Sequence, residues 1–211
     1  MAKTTDVIVV GGGVNGTCIA YHLAQRGVSV TLVEKDNIAA GPTGLSCGII
    51  RQHYSHPITA SIALAALRFF ENFEDLVGGD CDFRQTGYIF AAGPDTIDTL
   101  KANVALQQSL GINTSVISVE ELRELVPGAA IDGIVGAAYE PESGYADPYS
   151  TSVAFANRAE ELGAEMLIGT EVRSVIVEGG KARGVVTNQG RLEAASVVLA
   201  TGPWSSRLAK L

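Results

Sequence analysis

Residues 6–34 read DVIVVGGGVNGTCIAYHLAQRGVSVTLVE, and this stretch is the most informative about the fold. Val7–Val10 is a short, apolar and β-branched run, which is typical of a strand buried on both faces. Three glycines interrupt the run, and helical spacing of apolar residues then predicts a helix over 14–26, with Gly27 after its end. A second apolar strand over 28–33 runs to Glu34. The stretch is therefore predicted to be a βαβ unit.

The glycines of this unit form the pattern Gly11-x-Gly13-x-x-Gly16 between the strand and the helix. In such a turn the first glycine permits the tight bend, the second lets the backbone approach a pyrophosphate, and the third allows close helix–strand packing. The helix N-terminus offers free N–H groups to phosphate oxygens. Glu34 follows at the spacing where an acidic side chain accepts hydrogen bonds from ribose hydroxyls. The unit predicts a dinucleotide site, but the pattern alone does not distinguish NAD from FAD.

A long excursion separates Glu34 from the next candidate for a parallel strand. About 130 residues lie between Glu34 and the run 165–168, whereas an ordinary doubly wound domain adds its next helix and strand promptly. Three short alternating strands are then predicted near 172–177, 182–187 and 190–193. A last strand near 197–200 runs into Thr201-Gly202-Pro203-Trp204. This organisation favours FAD over NAD, because an FAD domain can be interrupted by segments of a substrate domain. The predicted fold class is α/β (α+β overall): an FAD-binding, Rossmann-like, doubly wound domain interrupted by segments of an antiparallel-sheet substrate domain.

Helix and turn signals mark the remaining elements. One continuous helix is predicted over 57–77, and a capping box from Ser118 to Glu121 opens a short helix further on. Residues 141–146 are rich in turn formers. Asp147 is predicted to be the N-cap of a helix, because a proline follows it at the first helical position.

These elements predict a split domain. We expect residues 1–78 to form the first part of the FAD-binding domain, 79–145 to form a substrate-domain segment, and 146–211 to form the second part of the FAD-binding domain.

The composition narrows the classes of function. The 211 residues carry a net charge of −8, a sequence pI near 4.9 and a mean hydropathy of +0.22. We expect no binding to nucleic acid, and no apolar run reaches the length of a membrane span. The N-terminus lacks the apolar stretch of a secretory signal, so the predicted location is the cytoplasm. Three widely spaced cysteines form neither a zinc pattern nor a disulfide framework, and no metal site is predicted.

The chain resembles the FAD-dependent amino-acid and amine oxidoreductases that include D-amino-acid oxidase, glycine oxidase and sarcosine oxidase. It is most similar to the sarcosine oxidases, of both the monomeric and the β-subunit type. The matching motifs are Asp6–Gly16, the loop Thr43–Gly48 with Ile49-Ile50-Arg51 after it, Thr86-Gly87-Tyr88, Glu140–Gly144 and Ala200–Ser205. The resemblance extends over essentially the whole chain, and it is more specific for the family than for the substrate.

The resemblance implies a set of residues that contact FAD. By this resemblance, the loop Thr43–Gly48 would lie along the pyrophosphate and near the isoalloxazine ring. The backbone of Val172 would contact the adenine. Trp204 would pack near the flavin, with a buried structural tryptophan as the equal alternative. The full predicted set is Gly11, Gly13, Val14, Asn15, Gly16, Glu34, Lys35, Thr43, Gly44, Ser46, Gly48, Val172, Ala200, Thr201, Gly202 and Trp204.

The resemblance also places Arg51 where sarcosine oxidases bind the substrate carboxylate. A guanidinium suits that role because it stays charged and donates two parallel hydrogen bonds to a carboxylate. The alternative is a structural ion pair or a phosphate contact. Tyr54 is the second candidate for substrate binding, and for His53 and Tyr54 a solvated position is an equal alternative. No catalytic acid or base is assigned.

The activity implied by the resemblance is oxidation of the C–N bond of a small amino acid or N-methyl amino acid, such as sarcosine. A hydride would pass to the flavin, and the imine product would then hydrolyse. The alternatives are an amine dehydrogenase that passes electrons to a protein acceptor, and a truncated fragment that binds nucleotide without turnover. Because relatives continue well beyond this length, we expect a missing C-terminal segment or a second subunit to complete the fold.

Overall fold

The computed structural model describes residues 4–209, which form two compact units. Within the described residues, the first unit consists of 4–47, Phe73–Asp82 and 147–209, and the second consists of Gly48–Asn72 and Phe83–Ala146. This division differs from the three expected parts mainly at Gly48–Asn72, which groups with the second unit. The chain therefore passes between the units four times.

The elements of the described residues follow in chain order. They are β1 (Thr4–Val10), α1 (Val14–Ala24), β2 (Val30–Glu34), β3 (Ile49–Ile50), α2 (Pro57–Glu71), α3 (Phe73–Val77), β4 (Tyr88–Ala92), α4 (Ile97–Ser109), β5 (Ser115–Ile117), α5 (Val119–Leu125), β6 (Gly136–Glu140), β7 (Gly144–Tyr145), α6 (Pro148–Glu161), β8 (Glu165–Ile168), β9 (Val172–Glu178), β10 (Lys181–Thr187), β11 (Gly190–Leu199) and α7 (Ser205–Leu208), with a 3-10 turn at Gly202–Trp204.

The first unit is built on a six-stranded sheet with the order β8-β2-β1-β11-β10-β9. Its first four strands are parallel, and β10 is antiparallel to both of its neighbours. The strands at the centre are apolar because they are covered on both faces: Ile8, Val9 and Leu32 are fully buried. The parallel sheet confirms the predicted fold class and the βαβ unit.

Aromatic packing joins the helices of the first unit. The ring centroids of Tyr21 in α1 and Phe155 in α6 lie 5.4 Å apart, and the ring of Phe73 in α3 meets Phe155 edge-on at 5.1 Å. The Tyr21 hydroxyl donates to the carbonyl of Leu76 at 2.7 Å. Asp147 caps α6 by accepting from the Ser150 N–H at 2.6 Å, which confirms the predicted N-cap.

The second unit contains a three-stranded antiparallel sheet with the order β4-β6-β5 and a separate short pair, β3 with β7. Leu100 and Val104 of α4 pack with Ala92 and Ala138 of the sheet. The capping box predicted for α5 is present, since the Ser118 hydroxyl accepts from the backbone of Glu121 and the Glu121 carboxylate accepts from the backbone of Ser118.

Three sequence expectations about the elements were wrong. The helix predicted over 57–77 is broken at Asn72, whose side-chain amide donates to the carbonyl of Arg68 at 2.8 Å and so ends α2. The runs 190–193 and 197–200 were predicted as two strands, but residues 190–199 form the single strand β11, and Ala200 follows its end. Residues 141–146, predicted as turn, include the strand β7.

The continuity of β11 has a physical reason. Its first half pairs with β10, and its second half pairs with β1, so the strand changes partners along its length. Gly184 lies opposite Glu193 at a register shift in β10, with φ of +144°, and a side chain there would overlap the carbonyl of Leu192. A glycine is required for this close approach.

Candidate functional site

Backbone hydrogen bonds hold three strand ends side by side at one edge of the first unit. The Gly11 N–H donates to the carbonyl of Val33, and the Ala200 N–H donates to the carbonyl of Val10, both at 2.8 Å. The carboxyl ends of β2, β1 and β11 therefore lie in a row. In open α/β sheets, this edge is where ligands bind.

The three glycines of the turn have different surroundings. Gly11 has a φ of +110°, and a Cβ atom there would lie 2.6 Å from the Ala200 carbonyl oxygen. A Cβ atom on Gly16 would overlap the carbonyl oxygen of Gly11, so this position permits the close packing of α1 on β1. A Cβ atom on Gly13 would meet only the Thr43 side chain, at 2.9 Å. Of the three, Gly13 leaves the most room for a ligand.

The N-terminus of α1 lies under a loop formed by residues 36–47. The Val14 N–H donates to the Thr43 hydroxyl at 3.1 Å, and the Ala39 N–H donates to the carbonyl of Gly12 at 2.9 Å. Ala39 has a φ of 62°, which is unfavourable for a residue with a side chain and indicates that the surrounding contacts impose the conformation. Gly13, the N-cap of α1, supplies no side-chain hydrogen bond, so the helix end can accept an anion.

Glu34 is held in one orientation by backbone groups. Its Oε2 accepts from the Gly12 N–H at 2.6 Å, and its Oε1 accepts from the Asp36 N–H at 2.8 Å. Each carboxylate oxygen keeps a lone pair for another donor. The side chain is thus placed beside the glycine turn, ready to accept from a ribose hydroxyl.

Other residues predicted to bind the cofactor lie at the same edge. The Lys35 ammonium lies 5.4 Å from the ring centroid of Trp204, an exposed side chain next to Gly41. The Thr170 N–H donates to the carbonyl of Glu34 at 2.8 Å, which brings the start of β9 and Val172 to the end of β2. Asn15, Gly44, Ser46 and Gly202 are exposed. Gly48, which follows the loop 36–47, belongs to the second unit.

In the second unit, Arg51 is surrounded by aromatic rings. Its Nη1 donates to the Tyr88 hydroxyl at 3.0 Å, and its guanidinium carbon lies 5.2 Å from the ring centroid of Tyr54 and 5.6 Å from that of Tyr88. The hydrogen bond to Tyr88 raises the pKa of Arg51 above its ordinary value, against an opposing effect of burial. The structure thus brings the two predicted substrate-binding residues together and adds Tyr88, which sequence reasoning placed only in a matching motif.

A buried carboxylate holds the backbone next to Arg51. Glu140 is fully buried, and its Oε2 accepts from the Gln52 N–H and from the Ser143 hydroxyl, both at 2.9 Å. Its Oε1 lies 3.6 Å from Nδ1 of His53, whose ring stacks on Phe90 with centroids 4.7 Å apart. Sequence reasoning missed this role of Glu140.

A second buried side chain holds the other end of the segment 51–54. Gln107 is fully buried in α4, and its Nε2 donates to the carbonyl of Tyr54 at 3.0 Å. The segment follows β3 without being part of a strand, so these side chains substitute for strand pairing. Gln107 lies in the last turn of α4 next to a second glutamine, Gln108, so the helix pattern gives no signal for its role.

A family profile with the description "FAD dependent oxidoreductase" matches residues 6–211. The chain belongs to this family. Its members are flavoproteins, so the prediction of FAD as the cofactor is confirmed at the level of this FAD-dependent oxidoreductase family. Within residues 4–209, no group of three or more His, Cys, Asp or Glu side chains lies close enough to hold a metal ion. Over the same residues, no helix is long and apolar enough to cross a membrane.

Individual members of the family have different chemistry. The chain is 31% identical to sarcosine oxidase subunit beta of Arthrobacter sp., over 99% of this chain and 54% of that protein. It is 36% identical to anaerobic glycerol-3-phosphate dehydrogenase subunit A1 of Haloferax volcanii, over 99% of this chain and 38% of that protein. The crystal structure of L-proline dehydrogenase from P. horikoshii superposes with a TM-score of 0.92 at 33% identity, covering 99% of this chain and 55% of that one. The chain thus spans about half or less of the length of these relatives.

Proposed function

We propose that this chain supplies the FAD-binding half, and part of the substrate site, of an oxidoreductase that acts on the C–N bond of a small amino acid or N-methyl amino acid. The observation that carries the proposal is the environment of Arg51. Its guanidinium contacts two tyrosines and, within residues 4–209, no carboxylate. A charged guanidinium held by rings and without an anionic partner fits the carboxylate of a substrate.

The residues of the first unit fit the cofactor. The N-terminus of α1, the open position at Gly13 and the fixed Glu34 carboxylate correspond to what a pyrophosphate and a ribose require. We propose that these residues and the rest of the predicted set hold FAD, with Thr43 and Trp204 flanking it. When bound, FAD supplies the two-electron acceptor for oxidation of the substrate.

The residues of the second unit would bind and orient the substrate. Arg51 would hold the carboxylate through two parallel hydrogen bonds, and this fixes the position of the neighbouring carbon and amine. Tyr54 and Tyr88 keep the guanidinium in place by packing against it. We assign no proton transfer to a side chain of this chain.

The names of two relatives with comparable sequence identity describe enzymes with different electron acceptors. One is called an oxidase subunit, and the other is called a dehydrogenase. The alternative to an oxidase is therefore an amine dehydrogenase that passes electrons to another protein. Fast reoxidation of the reduced flavin by an artificial dye, together with slow reoxidation by oxygen, would favour the dehydrogenase. A second subunit as a partner and a cytoplasmic location stay predictions.

The proposal is tested by visible absorption of the purified chain during titration with FAD, followed by anaerobic addition of sarcosine, dimethylglycine, proline or leucine. We expect a protein-bound flavin spectrum that bleaches with at least one of these amino acids. Gly13→Val should lose flavin binding, whereas Gly180→Asn, in the exposed turn between β9 and β10, should keep it, because asparagine tolerates the φ of +74° at this position. Equal flavin binding by the wild type and Gly13→Val would reject the cofactor site, and bound flavin that no amine or amino acid bleaches would reject the substrate class.

A further inference from the structure

An apolar cavity of about 260 Å³ lies next to Arg51 within the second unit. We call it the α2 cavity. One face of α2 lines it with Thr59, Ile62, Ala63, Ala66 and Phe70, and the two isoleucines of β3 also line it. Arg51 supplies the charged group of the lining, next to Tyr54. The cavity therefore combines an extended apolar wall with a single positive charge.

The helix α2 has more apolar surface than its own unit buries. Ala60 and Leu67 are fully buried on one face, as expected for a helix packed on a domain core. The cavity face follows the same helical spacing, at positions 59, 62, 63, 66 and 70, yet Ile62 is 63% exposed. Ile49 of β3 is 51% exposed on the same cavity. An apolar wall in contact with water next to a fixed charge is typical of a ligand-binding groove.

The size of the cavity limits its occupant. A cavity of about 150 Å³ lined by aliphatic and aromatic side chains accepts a benzene molecule. The α2 cavity is larger, and it thus has room for a branched aliphatic or aromatic group beside a carboxylate on Arg51. A substrate without such a group, such as glycine or sarcosine, would leave the apolar wall in contact with water.

We propose that the α2 cavity binds the apolar substituent of a carboxylate substrate, so that the substrate is an amino acid with a branched aliphatic or aromatic side chain. The inference rests on the proposed function, because it uses Arg51 as the carboxylate site. It adds a specificity determinant, the face of α2 that carries Ala63 and Ala66. The charge of Arg51 favours a carboxylate, and the apolar lining of the cavity favours an apolar substituent on that carboxylate.

The test is an NMR titration of the isotopically labelled chain with three probes: acetate, isovalerate and isovaleramide. The amides of residues 49–54 and the Arg51 side-chain N–H report binding. We expect isovalerate to bind roughly tenfold more tightly than acetate, because its additional carbons are removed from water. We expect isovaleramide to bind more weakly than isovalerate, because it lacks the charge that pairs with Arg51.

Two matched variants separate the cavity from the rest of the helix. Ala66→Leu fills the cavity, and we expect it to remove the preference for isovalerate over acetate while acetate binding is kept. Ala65→Leu adds the same group to an exposed neighbouring position outside the cavity and should keep the preference. Helical content measured by circular dichroism should be the same for both variants.

The outcomes distinguish the two proposals. If acetate and isovalerate bind equally and both depend on Arg51, as tested with Arg51→Met, the carboxylate site stands and the cavity proposal is overturned. If no carboxylate binding depends on Arg51, the proposed substrate site itself fails. If sedimentation shows a dimer that Ala66→Leu dissociates and Ala65→Leu does not, a second copy of the chain covers this face, and the cavity proposal is overturned as well.

Discussion

The glycine turn after β1 and the segment 51–54 after β3 both contain residues that the sequence predicted, but the two regions are held by different groups. In the turn, the contacts are backbone N–H groups, carbonyls and positions without a side chain, such as Gly11, Gly13 and Gly16. In the segment, buried side chains from β6 and α4 hold the backbone, and tyrosine rings hold the guanidinium of Arg51.

This difference determines which kind of substitution each region tolerates. A turn that packs closely because its glycines lack side chains is destabilised when a Cβ atom is added. A segment held by buried polar side chains fails when one of those side chains is removed. Substitutions at four positions test this difference, and their expected effects decrease from Gly16 to Asp147.

Gly16→Ala should have the largest effect, a loss of about 3 kcal/mol in the free energy of unfolding of the first unit, because the backbone must move to relieve the overlap with the Gly11 carbonyl. Gly13→Ala is the matched control and should lose about 1 kcal/mol, because only the Thr43 hydroxyl must move, at the expense of its hydrogen bond with the Val14 N–H. Trp204, the only tryptophan, reports unfolding of this unit by its fluorescence in denaturant. Equal losses of stability in the two variants would show that Gly16 is not packed more tightly than Gly13.

Glu140→Leu should cost about 2 kcal/mol, because it leaves the buried Gln52 N–H and Ser143 hydroxyl without an acceptor. Glu140→Gln keeps an acceptor of the same shape and should lose about half as much. Hydrogen exchange at the Gln52 amide measures the effect locally. Unchanged protection of that amide in Glu140→Leu would contradict the role of Glu140 in holding the segment.

Arg51→Met should raise the KM for a carboxylate substrate about tenfold, which corresponds to about 1.4 kcal/mol. The KM for an uncharged amine should change little. Arg51→Lys keeps the charge but loses the two parallel hydrogen bonds, and it should give an intermediate value. Initial rates of flavin bleaching measure both values. A parallel rise for both substrates would mean that Arg51 does not bind the carboxylate.

Asp147→Ala should have the smallest effect, about 1 kcal/mol, because α6 loses its N-cap. Hydrogen bonds from Ser150 lower the pKa of Asp147 below its ordinary value. The cap therefore stabilises the folded state fully above the ordinary carboxyl pKa of about 3.9, and this contribution is lost as the pH falls through the lower pKa of the folded state. The difference in denaturation midpoint between wild type and Asp147→Ala should shrink below that pH. Asp147→Asn also lacks the carboxylate, so its difference from Asp147→Ala should stay constant with pH, and a constant difference between wild type and Asp147→Ala would exclude the carboxylate as the titrating group.

The parts that were predicted correctly rest on local patterns. The βαβ unit follows from periodicity and the glycine spacing, and the caps at Ser118 and Asp147 follow from single residues whose hydrogen bonds close within three positions. The break of α2 at Asn72 was missed because its neighbours have the same apolar periodicity on both sides. The strands β3 and β7 were missed because two-residue strands carry no pattern of their own.

The glycine turn, the parallel sheet and the family could be predicted from the sequence, since a turn built from backbone groups needs only glycines at fixed positions. The tertiary structure alone decided that Glu140 and Gln107, 88 and 53 positions from the groups they bind, hold the segment of Arg51. It also decided that one face of α2 forms a cavity beside that arginine. Contacts between side chains so distant along the chain leave no period or spacing in the sequence, because only the folded chain brings them together.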